Sequence, residues 1–179
     1  MTRRVAPVRC VGLLLGLALA GGRAAAQTCS VGFPSGSCPV NTSATLTIPD
    51  VMQLTLTSTS TALTTPVAAD YDAGFVANTG PTATVKSNRA WRLQISAGAA
   101  TWTAVSTPPF TARASKPAAD LQWGTGGPFT ALTTTAATAA SGGGTGGTPA
   151  SFVFHTVYSW GLDTPGSYSL AIVFTLLAP

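Results

Sequence analysis

The chain contains no glutamate, only two lysines and a single histidine, and charged residues make up 8% of its 179 residues. General acid–base catalysis needs side chains that exchange protons near neutral pH, and histidine and glutamate commonly do so. His155 lies in an alternating run, on the face opposite Phe152 and Phe154, where a structural role is expected. The Gly-x-Ser-x-Gly motif of serine hydrolases is also missing. The sequence therefore predicts a protein that is not an enzyme and needs no cofactor.

The first residues have the three parts of a secretory signal peptide. Three arginines precede an apolar run over residues 10–20, and small residues follow in "GGRAAAQ". The apolar run is too short to cross a bilayer about 30 Å thick, which needs roughly 20 apolar residues. We expect residues 1–26 to be a cleaved signal peptide, and the protein to be secreted to the cell surface, the periplasm or the extracellular space without a transmembrane anchor.

The charge that remains after export is balanced. The signal peptide holds four of the seven arginines, so residues 27–179 carry five cations and five aspartates. Binding to nucleic acid depends on a basic surface that displaces counterions from the phosphates. The sequence therefore predicts no nucleic-acid partner.

Cys29 and Cys38 lie close together in "TCSVGFPSGSCPV". In an oxidising compartment such a pair is typically a disulfide, whereas a zinc site would need more ligands than His155 supplies. Asp70 and Asp72 could present oxygen ligands to calcium, but a turn explains the same spacing. We therefore predict a disulfide and no metal site.

The composition favours strands over helices. Threonine, alanine, serine and glycine dominate, and short alternating runs are separated by turn residues. The pattern predicts an all-β protein, an antiparallel β-sandwich of about eight strands, Ig-like or jelly-roll-like, forming one domain over residues 27–179. Residues 133–151 are low in complexity and are predicted to be a flexible loop. The predicted strands are 44–48, 52–57, 82–86, 91–97, 101–105, 120–123, 152–160 and 167–177.

The stretch "SNRAWRLQIS", residues 87–96, has two faces. Trp91 and the alternate residues Leu93 and Ile95 form an apolar face that is predicted to be core. Arg89 and Arg92 are predicted to be exposed. Two interpretations of these arginines remain open: with Lys86 they form a binding site for an anionic wall polymer, or they only keep an exposed face soluble.

The four tryptophans are candidates for an aromatic platform that binds sugar. Trp91 and Trp160 are predicted to be core, because each lies in or at the end of a predicted strand. Trp102 and Trp123 border loops, and the choice between core and platform stays open for these two.

The second half of the chain resembles the WxL surface domain of bacterial cell-wall proteins. The similar features are Asn88-Arg89 before Trp91-Arg92-Leu93 in "VKSNRAWRL", and Phe174-Thr175-Leu176 before the terminal Ala-Pro, where the family has a second Trp-x-Leu motif. The resemblance covers roughly residues 82–179. It implies a β-domain at the cell surface that attaches to the wall.

A second resemblance is to subunits of chaperone-assembled pili and to spore coat protein U-like domains. Those proteins also end on a Gly-x-Tyr strand with alternating apolar residues, as in "PGSYSLAIVFTLLAP", and often have an early disulfide. The sequence thus predicts a non-catalytic envelope protein that serves in wall attachment or in a surface assembly. The alternative is a fimbrial subunit assembled by strand donation.

Overall fold

The computed structural model describes residues 28–32 and 36–179. The predicted signal peptide lies outside the described residues. The chain divides into an N-terminal unit, Met1–Thr47, and a C-terminal unit, Ile48–Pro179. In the N-terminal unit Cys29 and Cys38 form the disulfide predicted from the sequence, with Cα atoms 5.8 Å apart.

The C-terminal unit contains every regular element of the described residues. Most of these elements are strands, and all strand pairs are antiparallel, so the predicted all-β class is confirmed. In chain order they are β1 (Met52–Leu56), α1 (Ala68–Ala73), β2 (Phe75–Ser87), β3 (Trp91–Ala97), β4 (Thr103–Ser106), a 3-10 helix (Ala118–Asp120), β5 (Leu121–Gly124), β6 (Thr130–Ala131), β7 (Ala137–Gly142), β8 (Thr145–Val157), β9 (Gly166–Ser169) and β10 (Ile172–Leu177).

Two sheets form a sandwich-like arrangement. The larger sheet has the strand order β1-β2-β8-β5-β6, and the smaller has the order β10-β3-β7. A separate pair, β4 with β9, extends the pairing of β3 with β10, because β4 follows β3 and β9 precedes β10 in the chain. The last strand of the chain is therefore an edge strand of the smaller sheet.

The core forms where the apolar faces of the two sheets meet. Trp91, Leu93 and Ile95 on β3 are at most 2% exposed, which confirms the face predicted for this strand. They cluster with residues of the larger sheet, among them Phe152 and Phe154 on β8, which are at most 1% exposed. Burying each such side chain contributes about 1.5–3 kcal/mol to folding. This burial fixes the register of β3, since a slip of one residue would expose the whole face.

The prediction of a flexible loop over residues 133–151 is wrong, because this segment contains β7 and the first half of β8. The segment lacks large apolar side chains, but its backbone pairs with both neighbours, β7 with β3 and β8 with β2. At one position of this segment the packing favours glycine. A Cβ atom on Gly142 would lie 3.1 Å from the ring of Trp91, so glycine lets β7 pack closely over the tryptophan.

The only α-helix of the described residues is the six-residue α1, between the segment 57–67 and β2. Asp70 accepts a hydrogen bond from the Val67 backbone nitrogen at 2.7 Å, which caps the first turn. Gly74 ends the helix with φ of 81°, a left-handed conformation that favours glycine. The side chain of Asp70 thus has a structural role.

Candidate functional site: an open groove beside the last strand

The apolar face of the last two strands is only half-buried. The side chains on this face are Tyr168, Leu170, Ile172, Phe174 and Leu176, and each packs against the core without being fully covered. Phe174 meets Phe152 edge-on, with ring centroids 4.9 Å apart. The alternation of this run predicts core, and the structure leaves part of that surface open to solvent.

A matching open face lies on β1, in the other sheet. Met52, Leu54 and Leu56 are also half-buried, while Gln53 and Thr55 are exposed. Among the described strands β1 pairs only with β2, and β10 pairs only with β3. Both are therefore edge strands, and an edge strand presents unpaired backbone N–H and C=O groups that can bind another strand.

A groove with a volume of about 570 Å³ lies beside these two edges. Its walls are formed by Leu56 and residues 58–63 on one side and by residues 168–172 with Phe174 on the other. Trp102 and Leu121 also line it. The groove combines apolar side chains with a free sheet edge, which is the chemistry that an extended peptide needs.

The segment after β1 is held in place at both of its ends. Thr57 and Thr82 exchange two hydrogen bonds, with N···O distances of 3.0 and 2.9 Å. Further on, the Thr64 backbone nitrogen donates to the side-chain oxygen of buried Asn78 at 2.7 Å. These bonds give the groove a defined wall.

Residues 44–48, which we call the arm segment, are predicted to be a strand, but the structure has no strand there. Among the described strands none pairs with these residues, and alternation alone does not make a segment a stable strand. Leu46 is 83% exposed and Ile48 is 73% exposed. Thr45 and Thr47 alternate with them. The arm segment therefore keeps the sequence pattern of a half-buried strand without the burial.

The Asn-Arg pair of "SNRAW" holds the chain that leads into β1. The side-chain nitrogen of Asn88 donates to the Pro49 carbonyl at 2.8 Å, and its side-chain oxygen accepts from the Val51 nitrogen at 2.9 Å. Arg89 forms an ion pair with Asp50. Residues 49–51 thus stay beside the turn that follows β2.

The structure spreads the three cations of the predicted binding site. Lys86 is exposed on β2 in the larger sheet. The prediction that Arg92 is exposed is wrong, since it is half-buried on the outward face of β3, which lies between β10 and β7 in the smaller sheet. Arg89 lies in the connecting turn, where Asp50 partners its charge. The three side chains therefore do not share one sheet face.

A buried ionic cluster is the polar feature that the sequence analysis missed. Lys116, only 3% exposed, donates to Asp163 at 2.9 Å, to Asp120 at 3.2 Å and to the Val157 carbonyl at 2.9 Å. Arg113 adds a bond to Asp163 at 3.1 Å. Lys116 and Asp120 are four residues apart, but Asp163 is distant in sequence, so no local pattern indicates the cluster.

The pKa of Asp163 results from opposing effects. Burial raises the pKa of this carboxyl, but the hydrogen bonds and positive charge of Lys116, with further bonds from Ser159 and Arg113, outweigh burial and hold it below its ordinary value. The carboxylate therefore stays ionised in the folded protein. All three protons of the Lys116 ammonium group have acceptors, so the cluster stabilises the loop before β9.

Three of the four tryptophans are buried: Trp91 at 2%, Trp102 at 5% and Trp123 at 7% exposure. Trp102 and Trp123, for which the sequence does not decide between core and sugar platform, therefore belong to the core. The prediction for Trp160 is wrong, since this side chain is 63% exposed. The reason is that β8 ends at Val157, before the alternation reaches Trp160.

His155 has the structural setting that the sequence predicts. It is half-buried on β8, and its ring stacks against Phe75 and Phe129, with centroid distances of 4.5 and 3.5 Å. Phe75 lies on β2, a sheet neighbour of β8, and Phe129 lies just before β6.

Comparison of the sequence with protein-family models and with curated proteins gave no match. Within the part of the chain that the structure describes, no helix has the length and apolar character needed to span a membrane.

Proposed function

We propose that the chain is a non-catalytic structural subunit of an exported surface assembly, in which each copy accepts a strand of another copy in the groove beside β10. The proposal develops the fimbrial alternative derived from the sequence. Attachment to an anionic wall polymer is less well supported, because Lys86 and Arg92 lie on different sheets and Arg89 is paired with Asp50.

The observation that supports the proposal is the half-buried face of β10 at a free sheet edge. Ile172 and Phe174 point toward the core, yet remain partly exposed along the groove. Each buried apolar side chain of an incoming strand would add about 1.5–3 kcal/mol. New backbone hydrogen bonds along the edge would fix the register and direction of the incoming strand.

The occupant is the arm segment of a second copy. Leu46 and Ile48 alternate with threonines, so one face of the arm segment is apolar for the groove and the other is polar for solvent. Both apolar side chains are almost fully exposed. Asn88 anchors Pro49 and Val51, the residues that join the arm segment to β1.

Light scattering of the exported protein over a range of concentrations tests this proposal. The protein should form concentration-dependent oligomers that resist mild denaturant. The variant Leu46→Asn/Ile48→Asn should remain monomeric at the same concentrations. These positions are exposed, so the change removes apolar surface without opening the core.

The control is Val105→Asn/Leu162→Asn, which removes two apolar side chains that are 61% and 57% exposed and lie outside the arm segment and the groove. This control should assemble like the unaltered protein. Monomers of the unaltered protein at every concentration, or equal assembly of the arm variant, would contradict the proposal.

A further inference from the structure

A second cavity, with a volume of about 400 Å³, lies between the segment after β1 and the loop before β9. It shares Leu63, Trp102 and Tyr168 with the groove, but its other walls are different. Tyr71 on α1 and Tyr158 just after β8 supply aromatic rings. Four threonines line the same cavity, at positions 64, 65, 156 and 164, although the Thr156 hydroxyl is buried and the Thr164 hydroxyl donates to the Thr111 carbonyl at 2.7 Å.

An exposed tryptophan, Trp160, contacts one residue of the cavity wall, Tyr71, and is oriented by a hydrogen bond. Trp160 stacks on Tyr71 with ring centroids 4.6 Å apart and an interplanar angle of 28°. Its indole nitrogen donates to Asp72 at 2.9 Å. Because one ring face lies against Tyr71 and 63% of the residue is exposed, Trp160 adds an open aromatic surface to this residue of the cavity wall. The role of Asp72 is thus to orient the indole.

The cavity offers neutral hydrogen-bonding groups. Burial raises the pKa of both Tyr71 and Tyr158, so the two phenols stay protonated at neutral pH. The side chain of Thr156 hydrogen-bonds the Tyr158 phenol and partly offsets the effect of burial on its pKa, whereas within the described residues the Tyr71 hydroxyl forms no hydrogen bond to a protein group. Tyr168 differs, since its hydroxyl is occupied by Arg113 and Thr164.

The charges at the cavity wall are already matched. Lys116 and Asp163 line it, but they bind each other at 2.9 Å, and the remaining protons of Lys116 go to Asp120 and Val157. An ionic ligand would have to displace one partner of a buried pair, which is costly. The cavity therefore favours a neutral ligand.

We propose that this cavity and the Trp160 ring form a binding site for a neutral saccharide, about one sugar unit in size. A sugar ring has an apolar C–H face that packs on an aromatic ring, and hydroxyl groups that both donate and accept hydrogen bonds. Trp160 fits the first property, and the phenols of Tyr71 and Tyr158 with the side chains of Thr64 and Thr65 fit the second. The site does not depend on assembly of the copies.

Saturation-transfer NMR on the exported protein tests the proposal, with the methyl glycosides of glucose, galactose, mannose and N-acetylglucosamine as probes. At least one of the four should bind, with contacts from its C–H face. Trp160→Ala should weaken that binding about tenfold, and Tyr158→Phe about fivefold, the factors expected when one stacking surface or one hydrogen bond is lost. The control Phe110→Ala removes another exposed aromatic side chain outside the cavity and should leave binding unchanged.

Two results would overturn the proposal: no binding of any probe, or binding that is the same in Trp160→Ala. A peptide of residues 40–50 provides a separate arm of the experiment. If this peptide, and none of the sugars, perturbs Trp160, the cavity is part of the strand-accepting groove and the saccharide site does not exist. Sugar binding by a protein that never assembles would support this site while refuting the proposed function.

Discussion

The side-chain oxygen of Asn88 accepts a hydrogen bond from the backbone nitrogen of Val51 at 2.9 Å, while the Asn88 backbone nitrogen donates to the Val51 carbonyl at 3.2 Å. Val51 directly precedes β1, and Asn88 directly follows β2. One residue thus extends the pairing of these strands beyond its last regular pair, Met52 with Ser87.

Replacing Asn88 with alanine should lower the free energy of unfolding by about 1–2 kcal/mol, because two side-chain hydrogen bonds are lost at an exposed site. Urea denaturation followed by tryptophan fluorescence measures this change. Asn41→Ala is the matched control, since Asn41 is exposed in the N-terminal unit. A variant at Asn88 that is as stable as this control would show that the bonds do not anchor the strand.

Trp91→Ala should cost roughly 3–5 kcal/mol of stability, as large-to-small changes at buried aromatic residues do. Gly142→Ala should also destabilise the protein, since its new Cβ atom would lie 3.1 Å from the Trp91 ring. In the Trp91→Ala background the change at Gly142 should cost less, because the ring is gone. Denaturation of the two single variants and the double variant checks this, and strictly additive effects would contradict the contact.

Stability should decrease in acid because of Asp163. Its pKa is lower in the folded protein than in the unfolded chain, so the unfolded state takes up the proton first as the pH falls. The stabilisation is therefore complete above about pH 5 and is lost progressively below that pH. Thermal unfolding between neutral and acidic pH should show a shallower dependence in Asp163→Asn than in Asp50→Asn, whose parent carboxylate belongs to an exposed pair. Parallel curves for the two variants would exclude this role.

The double variant Arg89→Gln/Arg92→Gln should keep its melting temperature within a few degrees of the unaltered protein. The Arg89 side chain is 40% exposed and its partner Asp50 is 67% exposed, and exposed ion pairs contribute about 0–1 kcal/mol. Differential scanning calorimetry measures the effect. A large loss of stability would mean that one of these guanidinium groups supports the core.

The sequence is informative where alternation and burial agree. The whole of β3 is predicted at its observed bounds because Trp91, Leu93 and Ile95 alternate and all face the core. The disulfide is predicted because Cys29 and Cys38 are close in the chain. The arm segment alternates equally well, yet it is not a strand. Alternation shows which side chains could share a face, but a strand forms only where a neighbouring strand supplies backbone hydrogen-bond partners.

Local sequence patterns do not predict the groove or the ionic cluster. The sequence of β10 is that of a core strand, and only the order of strands shows that it lies at an edge. The bond from Lys116 to Asp163 joins residues 47 positions apart. The loop prediction for residues 133–151 is wrong for a different reason. Backbone pairing with neighbouring strands orders this segment, although it has almost no large apolar side chains.

Cross-linking between two copies tests the strand-acceptor proposal most directly. One variant carries Leu46→Cys in the arm segment, another carries Ile172→Cys in the groove, and the two are mixed and oxidised. If the apolar face of the arm segment enters the groove, the mixture should give a disulfide-linked heterodimer. Thr47→Cys, on the opposite face, is the matched control and should give little product with the same partner.

The account predicts a high yield with Leu46→Cys, a low yield with Thr47→Cys, and suppression of both by excess peptide of residues 40–50. Equal yields from positions 46 and 47 would mean random collision, and no product would mean an empty groove. A double variant with both cysteines that cross-links only within one chain, even at high concentration, would show that the arm segment closes its own groove. Any of these three results would contradict assembly by strand addition.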